Sequence, residues 1–255
     1  MIIVVSCVGI FEKDFYAKET FNWRAQALGQ DMVDLFLIVP ALLVTAILTF
    51  KRKGIAALLW AGTVLYVIYT FMIYCFDVHF NRLFIVYCLA LGLSFYSFLW
   101  FLFTQIKAPI IRGINKNSAI KITAVYFIVI PVIFYCLWLS EIIPAIINDR
   151  TPKSLREKGL FTIPVHVLDL SLILPAILVN GILIFKRNTL GFALSFIILS
   201  FFILMDITIG WLAFMMKQKG VESNLSVTIV MTILTLFSLA ILIWNSRNIS
   251  STGEI

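Results

Sequence analysis

The apolar residues of this chain gather into seven long blocks, covering residues 33–50, 55–76, 83–106, 122–147, 165–185, 190–216 and 225–244. At about 1.5 Å per residue, a helix over each block is long enough to cross roughly 30 Å of hydrocarbon. Backbone within lipid must satisfy its own hydrogen bonds, so the blocks predict helices, and the short alternating strands of a membrane β-barrel are absent. The pattern predicts an all-α polytopic membrane protein with seven full transmembrane helices. An eighth apolar stretch, residues 1–11, reaches only about 16 Å as helix and predicts an N-terminal partial helix. It has no basic leader and no small-residue cleavage site after it, so it does not read as a cleavable signal peptide.

A repeat underlies the blocks. Displaced by 135 residues, 34–52 (DLFLIVPALLVTAILTFKR) aligns with 169–187 (DLSLILPAILVNGILIFKR), and thirteen of the nineteen positions are identical. Apolar composition alone matches Leu, Ile and Val by chance. It does not also align Asp34 with Asp169, Pro40 with Pro175 and Lys51-Arg52 with Lys186-Arg187. Four spans fit in one period, so both copies cross in the same direction, the arrangement of parallel repeats related by an axis along the membrane normal. The expected units are two parallel four-helix repeats, 1–118 and 119–255, within one membrane-embedded domain. The first helix of the first repeat is cut short. A start upstream of Met1 that restores the missing half-helix, giving eight spans, is preferred to a genuine half-span.

The polar segments ahead of the repeated helices share a plan. Thr151-Pro152 can start a short interfacial helix carrying Lys153, Arg156 and Lys158, and Gly159 can stop it. Residues 17–24 are its expected counterpart, with Trp23 at headgroup level.

Composition narrows the class. The chain is 62% hydrophobic and 13% charged, against about 45–50% and 25% for soluble domains. This excludes a soluble enzyme, a disordered chain and a secreted disulfide scaffold. The net charge of +7 sits between apolar blocks, where it sets topology near lipid headgroups and does not point to nucleic acid. Cys7, Cys75, Cys88 and Cys136 form no CxxC pair and read as small buried hydrophobes. Lys and Arg divide equally, ten on each side of the membrane. On the side of Lys51 and Lys186 they crowd short loops with Glu254 as the sole acid, whereas eight acids accompany them on the other. The weight of short loops places the Lys51 side and the C-terminus in the cytoplasm, in a cell membrane.

Ionisable groups inside spans are costly and are functional candidates by default. Here they are Asp34, Glu141, Asp169 and Asp206, all in the outer half, with no Lys or Arg inside a span to pair them. Gln30 and Asp31 share a helical face with Asp34, and His166 stands in the same relation to Asp169. If the halves face each other, Asp31, Asp34, His166 and Asp169 gather at an outer mouth. Asp34, His166 and Asp169 are candidate ligands of a metal, although no spacing such as HExxH supports one. The plainer reading makes Asp34 and Asp169 helix N-terminal acids favoured by capping and the dipole. Pro40 and Pro175, six residues further on, predict helix kinks. His79 reads as a solvated loop residue, and the tyrosines from Tyr66 to Tyr96 as packing or interface anchors, some lining a polar path.

No in-span lysine can hold retinal, and no Walker loop, GxGxxG, GxSxG or paired haem histidines occur, so no cofactor is expected. Three functions stay open. The first is a carrier or permease-like protein for a cation, proton or small polar solute, with carboxylates at the repeat interface. The second is a membrane-embedded enzyme or ligand or metal sensor using the outer Asp/His cluster, and the third is an accessory or assembly subunit. A non-enzymatic role is favoured. The expected partners are the bilayer and a small solute or ion.

Overall fold

The computed structural model describes residues 1–221 and 224–250; Glu254 of the basic tail lies outside them. The chain is 81% helical, and seven helices are long and apolar enough to cross a membrane. It is therefore a multi-pass membrane protein. The short helix α1 (Ile2–Phe11) precedes a first span built of α2 (Phe21–Val33), a π-helical turn (Asp34–Ile38) and α3 (Val39–Phe50). Helices α4 (Gly54–Asp77), α5 (Phe84–Lys107) and α6 (Asn117–Ile147) follow. The six-residue α7 (Lys153–Lys158) leads into a span made of α8 (Pro164–Leu168), a second π-helical turn (Asp169–Ile173) and α9 (Leu174–Phe185). Helices α10 (Thr189–Gln218) and α11 (Leu225–Ser246) complete the bundle. A two-residue antiparallel pair, β1 (Gly113–Ile114) with β2 (Ile249–Ser250), ties the tail to the α5–α6 loop; nothing in the apolar pattern announces it.

Two expectations are corrected at the first span. Residues 17–24 form no interfacial helix. The chain turns through 13–19, and Thr20 then caps α2, its side-chain oxygen accepting from the Trp23 N–H at 3.3 Å. The span therefore starts twelve residues before the apolar block, and Trp23 is buried in the bundle. The counterpart α7 does form, and Gly159 stops it in the left-handed conformation at φ 68°. A Cβ there would also stand 2.7 Å from the Thr20 side chain.

Pro40 and Pro175 do not break their helices. In an α-helix each proline ring would clash with the carbonyl four residues earlier. The chain instead widens by one residue just ahead of them. The Val39 N–H bonds the Asp34 carbonyl, and the Leu174 N–H bonds the Asp169 carbonyl. Both π turns thus begin on an aspartate, and such turns are frequent at functional positions.

Helices α4 and α10 are the core, buried along most of their length, while the other spans keep a lipid-facing side. The two cross where Gly62 meets α10. A Cβ on Gly62 would lie 2.5 Å from the Ile197 carbonyl oxygen and from the Ser200 Cβ. The Ser200 hydroxyl donates to the Leu59 carbonyl at 3.2 Å across the same crossing. Close approach through a small residue and a cross-helix hydrogen bond are how helices associate without a hydrophobic drive. Around it pack Leu58, Phe127, Ile177, Phe196 and Leu199 on one side, and Ile38, Tyr66, Phe71 and Tyr87 on the other.

Candidate functional site

The acids singled out in the sequence occupy three separate environments. Asp31, fully buried, is closed off by two tyrosines: Tyr16 donates to Oδ2 and Tyr74 to Oδ1, each at 2.7 Å. Gly9 of α1 lies against this carboxylate, and a Cβ there would be 1.8 Å from Oδ2. Burial and the Asp31 charge both raise the Tyr16 phenol well above its ordinary pKa, so it stays a donor. The group fastens α1 and its connecting turn to α2 and α4.

Asp34 lies mid-helix, not at a helix end, because α2 precedes it without a break. The capping explanation therefore does not apply to it. Its Oδ1 accepts from Gln30 Nε2 at 2.9 Å and, more weakly, from the Tyr66 hydroxyl at 3.4 Å. Gln30 also donates to Tyr66, which shares a 2.9 Å bond with Thr208 of α10. Asp34 Oδ2 is buried without a partner among the described residues. This chain of side chains links the first span to both core helices.

Asp169, His166, Glu141 and Asp206 line a common cavity of about 540 Å³. It lies within the size range of small-molecule pockets. It is walled by α2, α4, α6, α8, α10 and α11 and reaches from α7 to Tyr126 and Leu234; Leu234 is about 14 Å along α11 from its Leu225 start at 1.5 Å per residue. Its walls are mainly Ile, Leu, Val, Phe and Met, with a few polar groups. Asp169 is held by Trp138 Nε1 at 2.9 Å and the Tyr69 hydroxyl at 3.1 Å. The His166 ring packs on Trp138, with centroids 4.5 Å apart. Glu141 accepts from both the N–H and the hydroxyl of Ser154, at 3.2 and 2.5 Å, which anchors α7 to α6. At the same end Lys158 lies 6.0 Å over the Trp23 ring. Burial lowers the Lys158 ammonium pKa, against the opposing pull of Glu141 and Asp77.

Asp206 differs from all of these. It is 7% exposed, lines the cavity and accepts no hydrogen bond from any described residue. A carboxylate among apolar walls is expensive unless a ligand or a proton meets its charge. Trp138, Tyr126, Phe201 and Phe202 offer aromatic faces in the same space, the surroundings that suit an organic cation.

The single mouth gathering Asp31, Asp34, His166 and Asp169 is not formed: His166 and Asp169 face the cavity, whereas Asp31 and Asp34 are enclosed elsewhere. Among the described residues no three His, Cys, Asp or Glu side chains stand together as metal ligands. His79 is half exposed but paired, its backbone N–H and Nδ1 contacting Glu19 at 2.8 and 2.9 Å. Trp138 and Thr208 were not predicted from sequence, since a lone indole or hydroxyl in an apolar block has no distinguishing signal. The α4 tyrosines do have one, because Tyr66, Tyr69, Thr70 and Tyr74 recur at helical spacing along one face. Compared with known proteins, the chain matches no family model, no curated protein and no solved structure.

Proposed function

We propose that this protein is a carrier for small organic cations, amines borne on an apolar body, with Asp206 as the counter-ion and Asp169 as a second polar contact. The observation that carries this reading is the Asp206 carboxylate, without a hydrogen-bond partner among the described residues, inside a mainly apolar cavity. A bare cation would find too few oxygens there to replace its water. An ammonium on an apolar body gains a charge-assisted hydrogen bond while its body fills the remaining volume. The test uses dansylcadaverine, whose fluorescence rises in apolar surroundings, and N-butyl dansylamide, which has the same fluorophore and no amine. Purified protein in lipid nanodiscs should prefer the amine by about tenfold or more, a difference of about 1.4 kcal/mol. Asp206→Asn should erase the preference. Equal affinity for both probes in the wild type sinks the proposal.

A second reading, a membrane-embedded sensor or enzyme, draws on the Trp138–His166–Asp169 group, which sets an acid and an imidazole on one wall of the cavity. Uptake of dansylcadaverine into proteoliposomes that is lost in Asp206→Asn and kept in His166→Gln favours the carrier. Binding without uptake, lost in His166→Gln, favours the sensor. The burial of Asp31, Asp34 and Asp206 counts against an accessory subunit with no site of its own.

The carrier reading includes the two-repeat architecture, with 1–118 and 119–255 as parallel units. Beyond sequence identity, several features recur at the 135-residue offset. The π turns begin at Asp34 and Asp169. Arg52 and Arg187 both take a left-handed conformation, at φ 59° and 55°. Lys53 bonds the Leu48 carbonyl as Asn188 bonds that of Leu183. Gly62 meets Ile197, its own equivalent, as residues beside a two-fold axis do. The basic rim of Lys51, Lys107, Lys116 and Lys186 then faces the cytoplasm and α7 the outside. Thiol labelling of single cysteines placed in the 51–53 and 153–158 segments of intact cells tests the orientation: only the second should react with an impermeant reagent.

A further inference from the structure

We infer that ligands enter the cavity sideways from the bilayer, between α6 and α11, so the substrate class is a membrane-dissolved amphiphilic amine and not a freely aqueous one. This rests on the Asp206 reading above.

Two edges of the cavity are held differently. The water-facing edge, at the α7 end, is bridged by α7, with Ser226 of α11 exposed beside it. Ser154 is anchored to Glu141 through its N–H and hydroxyl. Thr20 donates to the Lys158 carbonyl at 3.0 Å, and the Lys158 ammonium covers the Trp23 ring. These contacts hold α7 across α2 and α6.

The edge between α6 and α11 is joined over only half its length. Near the Asn117 and Ser246 ends, Thr123 and Asn245 exchange hydrogen bonds at 3.0 and 3.2 Å. Tyr126 and Ser238 share one at 2.7 Å, and the Tyr126 ring stacks on Phe237. Beyond Tyr126, toward α7, no hydrogen bond joins α6 to α11 among the described residues. Leu137 of α6 and Val230 of α11 wall the cavity there, yet they are 51% and 49% exposed. Side chains that line a cavity and are also half exposed stand at its rim. Pro131 sits where the joined half gives way to the open half, and Pro144 follows one segment later. Each removes a helix hydrogen bond, so α6 is more easily bent in its open half than α11, which has no internal proline.

A gap of this kind admits a ligand whose apolar body already resides in the acyl layer, and Asp206 then receives its ammonium. An aqueous cation would instead enter past the α7 contacts.

The test places tryptophan at the rim, in Leu137→Trp and Val230→Trp separately, with Ile143→Trp as a lipid-exposed control on α6. Vesicles preloaded with dansylcadaverine in their membrane are mixed with proteoliposomes, and association is followed by stopped-flow fluorescence. Both rim variants should bind with unchanged preference over N-butyl dansylamide at equilibrium, but about tenfold more slowly. The control and Ser154→Ala, which loosens the α7 contacts, should associate at the wild-type rate. Wild-type rates in both rim variants, or faster association in Ser154→Ala, overturn lateral entry while leaving the equilibrium preference intact. Loss of that preference in the wild type overturns the Asp206 reading and the entry route with it. The two rim sites are independent and half exposed, so one misfolded variant does not remove the test.

Discussion

Gly62 of α4 lies so close to Ile197 of α10 that a β-carbon on Gly62 would stand 2.5 Å from the Ile197 carbonyl oxygen. The obstacle is backbone, which cannot rotate away as a side-chain tip can. Gly62→Ala is expected to cost about 1–3 kcal/mol through forced backbone shifts, and Gly62→Leu more. Gly92, with nothing within 4 Å of its Cβ position, supplies the comparison: Gly92→Ala should be neutral or slightly stabilising, because alanine is the better helix former. Thermal unfolding of the three variants in matched detergent checks the order.

The Asp31 group makes a different prediction. Each carboxylate oxygen has its own tyrosine, so Tyr16→Phe and Tyr74→Phe should each cost about 1–3 kcal/mol by leaving a buried acceptor short of a donor. The losses should not add, since both act on one carboxylate. Limited proteolysis should cut the 12–19 connection faster in either variant, because the same group holds α1 to the bundle. A double-mutant cycle on unfolding midpoints that gave simple additivity would mean the tyrosines act independently.

Lys158 should be recognisable by its titration. Burial disfavours its charged form, so the free amine appears at a lower pH than the roughly 10.4 of an unhindered lysine. The sign follows directly. The folded protein holds this proton less tightly than the unfolded chain, so the protonated ammonium costs stability below the folded pKa. That cost is relieved as pH rises from there toward 10.4. Reductive methylation followed by mass spectrometry should show Lys158 reaching half-maximal reactivity below that value. Asp77→Asn or Glu141→Gln should lower the midpoint further by removing a favourable charge.

The bundle was legible in the sequence because its lipid-facing residues must be apolar over a full span, and seven blocks met that demand. The start of the first span was misplaced for the converse reason. Residues 21–33 include Asn22, Gln26, Gln30 and Asp31, which look foreign to a membrane helix until their internal partners are known. Gln26 bonds Asn22, Gln30 bonds Asp34 and Tyr66, and Asp31 takes two tyrosines. Asp206 stood out as a lone acid deep in a span, and the structure keeps it alone. Asp34 and Asp169 look alike in sequence because their flanking residues match, yet their surroundings differ. Tyr66 reaches Asp34, with Thr208 bonded to Tyr66 behind it, whereas Tyr69 and Trp138 reach Asp169, and those contacts depend on helix packing that the local pattern does not encode. Pro40 and Pro175 mark the places where each helix departs from regular α geometry, but the widening by one residue ahead of the ring has no signal in the sequence.

Asp206 lies about 18 Å along α10 from Gln218 and about 26 Å from Thr189, at 1.5 Å per residue. A charge held there sits partway through the membrane's electric field. Moving one elementary charge across the whole field is worth about 2.3 kcal/mol per 100 mV, so reaching this depth is worth about 1 kcal/mol. In the proposed orientation, with the α7 end outside and the interior negative, that energy would draw a cation inward and multiply its occupancy several-fold. A site at this depth answers to the energisation of the membrane as well as to the concentration of its ligand.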